Sequence, residues 1–263
     1  MKKYLFSIVL FWFLGGSAYS QISPPGLGKA HTADWFALGI RQKLDTLGGR
    51  GWQSMTYVGM GRKSNPNNND PFYKPAIWVL NQEFYNQFHP NWQYSMALSY
   101  RRQDEYQDRP PFEHDIPEIR QEFRVYGRLY YQFSTPRIKI VPILRQEFRK
   151  YYAPDFTAID ENYQLRTRVR LQVTLNLDRD KRHKLVGSSE QLFSISKASY
   201  AAEPWSEFDY RESRFSLYYS YSQKKLPITY SLGYMNNLVG QTHPYQVHYL
   251  AFDIVVENPF GHR

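Results

Sequence analysis

Over sixteen residues, Asn162–Leu177 (NYQLRTRVRLQVTLNL), apolar and polar side chains alternate almost without a break. Tyr163, Leu165, Thr167, Val169, Leu171, Val173, Leu175 and Leu177 share one parity; Gln164, Arg166, Arg168, Arg170 and Gln172 share the other. Successive side chains of a strand point to opposite faces, whereas a helix would spread these arginines round its cylinder. A strand this long with one apolar face suits the tilted wall of a barrel better than the short strand of an average globular domain.

The same split recurs. In Asn91–Arg102 the apolar face is Trp92, Tyr94, Met96, Leu98 and Tyr100; in Glu118–Phe133 it is Phe123, Val125, Gly127, Leu129, Tyr131 and Phe133. Further strands are predicted at Arg137–Tyr151, Lys184–Ser196, Phe208–Ser222, Leu226–Asn236 and Gln246–Glu257, and upstream at Ala76–Gln87, Trp52–Gly61 and Asp34–Arg41. Aromatic residues, 17% of the chain, favour strands. Tight turns at His89–Asn91, Ser134–Pro136, Asp178–His183 and Gln223–Lys225 alternate with longer polar loops at Arg62–Pro75, Gln103–Pro117, Ala153–Glu161 and Lys197–Glu207. Short periplasmic turns and longer outer loops are the pattern of bacterial outer-membrane barrels. The expected fold is therefore all-β, a transmembrane antiparallel up-and-down barrel. Eleven segments read as strands, yet bacterial single-chain barrels have even numbers. Ten strands close if Trp52–Gly61 comes first, giving a barrel over 52–263 and an N-terminal segment, 21–51, that is a plug or an extra strand. Twelve would need another crossing before Asp34, where Ser23-Pro24-Pro25-Gly26 is poor strand material.

Residues 1–20, MKKYLFSIVLFWFLGGSAYS, read as a secretory signal peptide. Lys2 and Lys3 precede an apolar core, and Ala18-Tyr19-Ser20 offers small residues for cleavage before Gln21. The expectation is residence in the outer membrane of a Gram-negative bacterium after cleavage near Ser20. Outer-membrane lipids and the barrel-assembly machinery are then the partners. There is no cysteine, which excludes disulfides, thiolate metal sites and a lipoprotein anchor. Beyond the N-terminus no stretch approaches the ~18 apolar residues of a membrane helix, so a spanning chain must be a barrel. The formal net charge of +9 becomes +7 without Lys2 and Lys3. Lys and Arg alternate with apolar residues instead of forming runs, which argues against nucleic acid as a partner.

Alternation alone does not decide which face meets water. In a soluble periplasmic ligand-binding barrel the apolar face would line the core; in a membrane barrel it faces lipid. Aromatic residues at strand ends (Trp92, Tyr100, Tyr131, Phe133, Tyr218, Tyr219, Tyr221) suit interfacial girdles. The polar face carries Arg far more than Lys, and Arg is suited to bidentate pairing in a confined space. The pentapeptide RQEFR occurs at Arg120–Arg124 and again at Arg145–Arg149, with NQEFY at Asn81–Tyr85 a near copy. A hairpin with Phe133 opposite Ile138 would set Glu122 opposite Arg149 and Arg124 opposite Glu147, so that opposite charges meet. The predicted lumen network comprises Arg120, Glu122, Arg124, Arg145, Glu147, Arg149, Arg166, Arg168, Arg170, Glu212 and Arg214. It reads as salt-bridged filling or, with Arg in excess over Glu, as an anion-preferring path.

No catalytic residue, metal ligand or cofactor is assigned. The histidines of the mature chain lie mostly in turns, without a matched nucleophile, and no His/Asp/Glu cluster has ligand spacing. If the barrel is instead a lipid-modifying hydrolase or acyltransferase, His243 and His248 near the last strand are the candidates.

Several passages taken together carry a family likeness: Trp35 on an early strand, NYQLRTRVRLQVTL, FDYRESRFSLYYSYSQKKLPITYSLGYMNN, and HYLAFDIVV on the last strand. They resemble the uncharacterised barrel family of Bacteroidota and other Gram-negative bacteria labelled domain of unknown function 2490. The resemblance covers most of the mature chain and is best from Arg145 onward. It implies an outer-membrane β-barrel and brings no activity with it. Ser189-Glu190-Gln191-Leu192-Phe193 departs from the family's usual Asp-Glu-x-Phe-like strand, and the chain runs on past its last strand through Asn258–Arg263. Leu250, Phe252, Ile254 and Val256 still resemble an assembly signal. The expected role is non-enzymatic: a structural or envelope barrel, or a narrow anion-preferring pore.

Overall fold

A computed structural model describes residues 22–44, 51–198 and 205–261; the predicted signal peptide and its cleavage site lie outside them. The strands are β1 (Thr32–Lys43), β2 (Trp52–Lys63), β3 (Lys74–Asn86), β4 (Trp92–Tyr106), β5 (His114–Tyr131), the two-residue β6 (Phe133–Ser134), β7 (Ile138–Tyr152), β8 (Ala158–Asn176), β9 (His183–Ala198), β10 (Asp209–Ser222), β11 (Ile228–Val239) and β12 (Tyr245–Glu257). Successive long strands pair antiparallel, β5 and its continuation β6 both pairing with β7, and β1 lies beside β12. The sheet thus closes into a barrel of eleven long strands plus the short β6.

The count of eleven, and not ten or twelve, follows from β1. An up-and-down barrel with an odd number of strands must close through one parallel pair. That pair runs from Thr32 opposite His248 to Arg41 opposite Glu257. A parallel ladder is only slightly less stable per residue than an antiparallel one, so parity is a weak constraint. Asp34–Arg41 is therefore part of the wall, which begins at Thr32. Trp35 and Ala37 are buried inside it, while Phe36, Leu38 and Ile40 are exposed outside.

The apolar face of the sheet is the outer face. Leu38, Val58, Leu80, Met96, Leu98, Val125, Leu144, Val169, Leu171, Leu217, Leu232 and Leu250 are all exposed. On β9, Gly187, Ser189 and Gln191 take the corresponding outward places. Aromatic pairs gather at both rims. Trp52–Tyr94 and Trp92–Tyr131 lie at one end, and Tyr100–Phe123, Phe148–Tyr163 and Phe193–Tyr210 at the other. The second rim carries the 64–73, 107–113 and 153–157 connections and is called the loop end. The first carries 87–91, 135–137, 177–182 and 223–227. In the turn after β8 the His183 N–H donates to the Asp178 carboxylate at 2.8 Å, which holds that carboxyl below the usual aspartate value.

Inside, the two halves of the wall differ. β1, β2, β3, β11 and β12 contribute Trp35, Met55, Ile77, Val79, Met235, Val247 and Tyr249 to an apolar core, while β4 to β10 contribute mainly Arg, Glu, Gln and Ser. Residues 22–30 run through the lumen between these halves. Ile22, Leu27 and Ala30 are buried against the apolar side. The polar contacts tie the backbone down: Tyr249 accepts the Leu27 N–H at 3.1 Å, the Lys63 ammonium donates to the Leu27 carbonyl at 2.7 Å, and Arg214 Nη1 donates to the Pro24 carbonyl at 3.2 Å. Proline has no N–H to leave unpaired, so Pro24-Pro25 presents acceptors to a wall rich in donors.

The β5–β7 register differs from the predicted one by two residues. Phe133 lies opposite Ile140, which puts Arg124 opposite Arg149, Tyr126 opposite Glu147 and Arg128 opposite Arg145. The hairpin turns at Thr135–Ile138, where the Thr135 N–H donates to the Ile138 carbonyl at 2.8 Å. Like charges face each other in the ladder because the ion pairs form diagonally: Glu122 reaches Arg124 on its own strand at 2.6 Å and Arg149 two positions across. The long guanidinium arm spans the diagonal that directly opposed pairing rules leave out. This register is directly testable in a chain without cysteine. A Val125→Cys/Phe148→Cys pair should form a disulfide in the folded barrel, since paired Cα atoms lie within bridging range. A Val125→Cys/Gln146→Cys pair should not, as read by mobility on a non-reducing gel.

Candidate functional site

The polar half of the lumen is built by alternate residues of β4, β5, β7, β8, β9 and β10, whose outward neighbours are apolar. Along it runs a chain of opposite charges. Arg124 bridges Glu122 (2.6 Å) and Glu147 (3.1 Å), and Glu147 also takes Arg145 (2.6 Å) and Arg168 (2.7 Å). Arg168 and Arg214 meet Glu190 at 3.4 and 3.9 Å. Glu212 closes the run with Arg214 at 2.6 Å, Arg166 at 3.4 Å and the Asn237 amide at 2.7 Å. Arg149 joins through Glu122 and donates to Gln164 at 2.5 Å. Arg145 also stacks over the Tyr126 ring, 3.6 Å from its centre.

Two predicted members stand apart. Arg120 lies at the loop-end mouth, half-exposed and paired with Glu105 at 2.9 Å. Arg170 is buried and makes no ion pair within 4.0 Å among the described residues; its Nη1 donates to Ser23 Oγ at 2.8 Å. Four further members were not in the predicted network: Glu190, already placed above, and Glu83, Arg101 and Arg128. Glu83 accepts from Ser95 (2.5 Å) and Tyr126 (2.9 Å) and faces Arg128 at 3.5 Å, and Arg101 lies 4.0 Å from Glu122. The signal for Glu83 was present, since it occupies the Glu place of NQEFY.

Counting Arg101, Arg124, Arg128, Arg145, Arg149, Arg166, Arg168 and Arg214, with the unbridged Arg170, against Glu83, Glu122, Glu147, Glu190 and Glu212, nine guanidiniums share this polar wall with five carboxylates. Above it, toward the loop end, opens a polar vestibule of about 1280 Å³ whose lining includes Lys29, Arg120, Arg166, Arg211 and Tyr245. Below it, at mid-lumen, is a smaller cavity of about 40 Å³. Residues 22–30 separate the two spaces: Ile22, Ser23, Pro24 and Pro25 line the lower one, and Gly26, Gly28 and Lys29 the upper.

The family described as protein of unknown function (DUF2490) matches residues 106–248, from the end of β4 into β12. The chain belongs to that family. No curated protein matches the sequence. The matched span of this DUF2490 barrel holds all of the charge network except Glu83 and Arg101, whereas residues 22–30 and β1 to β3 precede it.

The two histidines considered for catalysis lie elsewhere. His248 sits near the rim at the start of β12, where its Nδ1 hydrogen-bonds to the Tyr234 hydroxyl (2.7 Å) and its ring packs on His31, 5.7 Å between centres. His243 is exposed in the 240–244 turn. Neither is hydrogen-bonded to a Ser or a carboxylate among the described residues, and no group of His, Asp and Glu there is arranged to hold a metal.

Proposed function

We propose that this DUF2490 barrel resides in a bacterial outer membrane as a non-enzymatic, anion-preferring barrel stoppered by its own N-terminal residues. The observation that carries the membrane reading is the inverted wall: aliphatic side chains outside between two aromatic rims, guanidiniums and carboxylates inside. An outer surface of that kind is costly in water and stable in lipid. The excess of arginine in the lumen supports a preference for anions, and the burial of Ile22, Pro24, Pro25, Leu27 and Ala30 supports a path that is closed at rest.

Membrane fractionation with heat-modifiability on a gel tests the first part. A boiled-versus-unboiled mobility shift in the outer-membrane fraction is the expected result, and a soluble, unshifted protein sinks the reading. Leu171→Arg on the outer face should destabilise the lipid-embedded barrel by about 2–4 kcal/mol, measured by denaturant unfolding in vesicles. Planar-bilayer recording tests the second part. A variant lacking residues 22–30 should conduct more than the full chain and prefer anions, and adding Arg168→Glu should weaken that preference.

A further inference from the structure

The cavity at mid-lumen is distinct from the open vestibule, and members of the ion-pair chain form part of its wall. It lies beneath Ser23-Pro24-Pro25, with Arg101, Arg128, Arg145, Arg168, Arg170 and Arg214 around it and only Glu83 and Glu190 as acids. We propose that it is a binding site for one monovalent inorganic anion of halide size, held chiefly by Arg170.

Three features lead there. Arg170 is 8% exposed, and its Nε and Nη2 are buried with no hydrogen-bond partner. Its single described polar contact is a neutral hydroxyl, Ser23 Oγ. A buried charge without a counter-charge is costly, and a buried guanidinium with free N–H groups adds the cost of unmade hydrogen bonds. The second feature is the imbalance of the whole network. Nine guanidiniums share five carboxylates, and the acid opposite Arg170 is itself shared: Glu190, its partner across the β8–β9 ladder, makes its ion pairs with Arg168 and Arg214. Water in the cavity would satisfy N–H groups but leave that charge unbalanced, whereas an anion answers both needs.

The third feature is size. A cavity of about 40 Å³ has room for roughly one to three water-sized objects. That fits a halide with a water and excludes a sugar or a lipid headgroup. Access is built in, because Arg101, Arg168 and Arg214 line both this cavity and the vestibule above it. An anion entering from the loop end passes from one set of guanidiniums to the next. Once bound beside Ser23 it lies against the N-terminal segment, so the site and the stopper are occupied together.

This inference rests on the cationic lumen of the reading above, but its test is separate from conductance and from membrane location. The folded full-length barrel, purified in detergent, is exchanged from a chloride-free buffer into sodium bromide and crystallised. Anomalous scattering should show one bromide in the cavity, with the Arg170 side chain turned so that Nε or Nη2 comes within hydrogen-bonding reach. The same exchange should raise the temperature at which the heat-modifiable band unfolds. Arg170→Gln should remove the peak and the bromide dependence, and Arg170→Lys, which keeps the charge, should retain part of both. An empty cavity in the wild-type crystal overturns the site whatever the variants do. So does a bromide effect that survives in Arg170→Gln. A soluble protein would overturn the membrane reading without touching this result, and a non-selective conductance would do the same for the path.

Discussion

Glu147→Ala is expected to destabilise the barrel by about 3–5 kcal/mol, the range for removing one partner of a buried ion pair. Glu147 is almost wholly buried and stands within 3.1 Å of Arg124, Arg145 and Arg168, on three different strands. Taking its charge away leaves Arg145 without its ion pair and Arg124 and Arg168 with only the acids they share, Glu122 and Glu190, in a low-dielectric space. The loss comes from their uncompensated charge more than from the three contacts themselves. Denaturant unfolding of the detergent-solubilised barrel reads the change directly. Arg124→Met in the Glu147→Ala background should recover part of it, because the residual repulsion falls. A loss below about 1 kcal/mol, the value for a solvent-exposed pair, would mean that water fills the lumen and screens the network.

The second large effect concerns shape. Gly233 on β11 lies directly opposite Tyr218 on β10, and the Tyr218 ring covers it so closely that an added Cβ would lie 2.1 Å from a ring carbon. Tyr218 is fully buried and cannot swing away without entering the core. Gly59 is covered in the same way by the Trp35 ring, at 2.4 Å. Gly233→Val should therefore cost more than the usual 1–3 kcal/mol of an overpacked core and give little heat-modifiable protein. Gly187→Val is the control: it points outward, its nearest neighbour would be 3.9 Å away, and it should change stability by no more than about 0.5 kcal/mol. Combining Gly233→Val with Tyr218→Ala should cost less than the sum of the two single changes. Additive losses would show that the ring and the glycine are not the fitted pair that the geometry describes.

Much of this protein was legible in its sequence because a strand's side-chain period is two. Alternation in Asn162–Leu177 separates Arg166, Arg168 and Arg170 from Leu165, Val169 and Leu171, and the barrel keeps that separation along nearly every strand. The eleven strand-like segments were also present in the sequence; parity alone argued against the first of them. Glu83 escaped although its motif was noticed. Arg101 and Arg128 had no repeat to mark them; the register of neighbouring strands sets Arg101 opposite Glu122 and brings Arg128 across β4 to Glu83.

What the sequence could not decide depends on strands far apart in the chain. A shift of two residues preserves every inward and outward assignment, so alternation was blind to the difference between Arg124 opposite Glu147 and Arg124 opposite Arg149. Charge pairing between directly opposed residues chose the wrong register, because guanidiniums reach across the diagonal. The parallel seam of β1 on β12 joins residues more than two hundred positions apart, and nothing local in Thr32–Lys43 announces it. Residues 21–51 read as a plug or an extra strand, but nothing in the sequence separated 22–30 from the strand that follows. Ser23-Pro24-Pro25-Gly26 read as poor strand material, which is true of the wall. Inside the lumen the same residues fit, because an extended, donor-poor backbone is what a surplus of buried arginine can bind. Local alternation determined which side chains face inward, and closure of the barrel decided what they meet there.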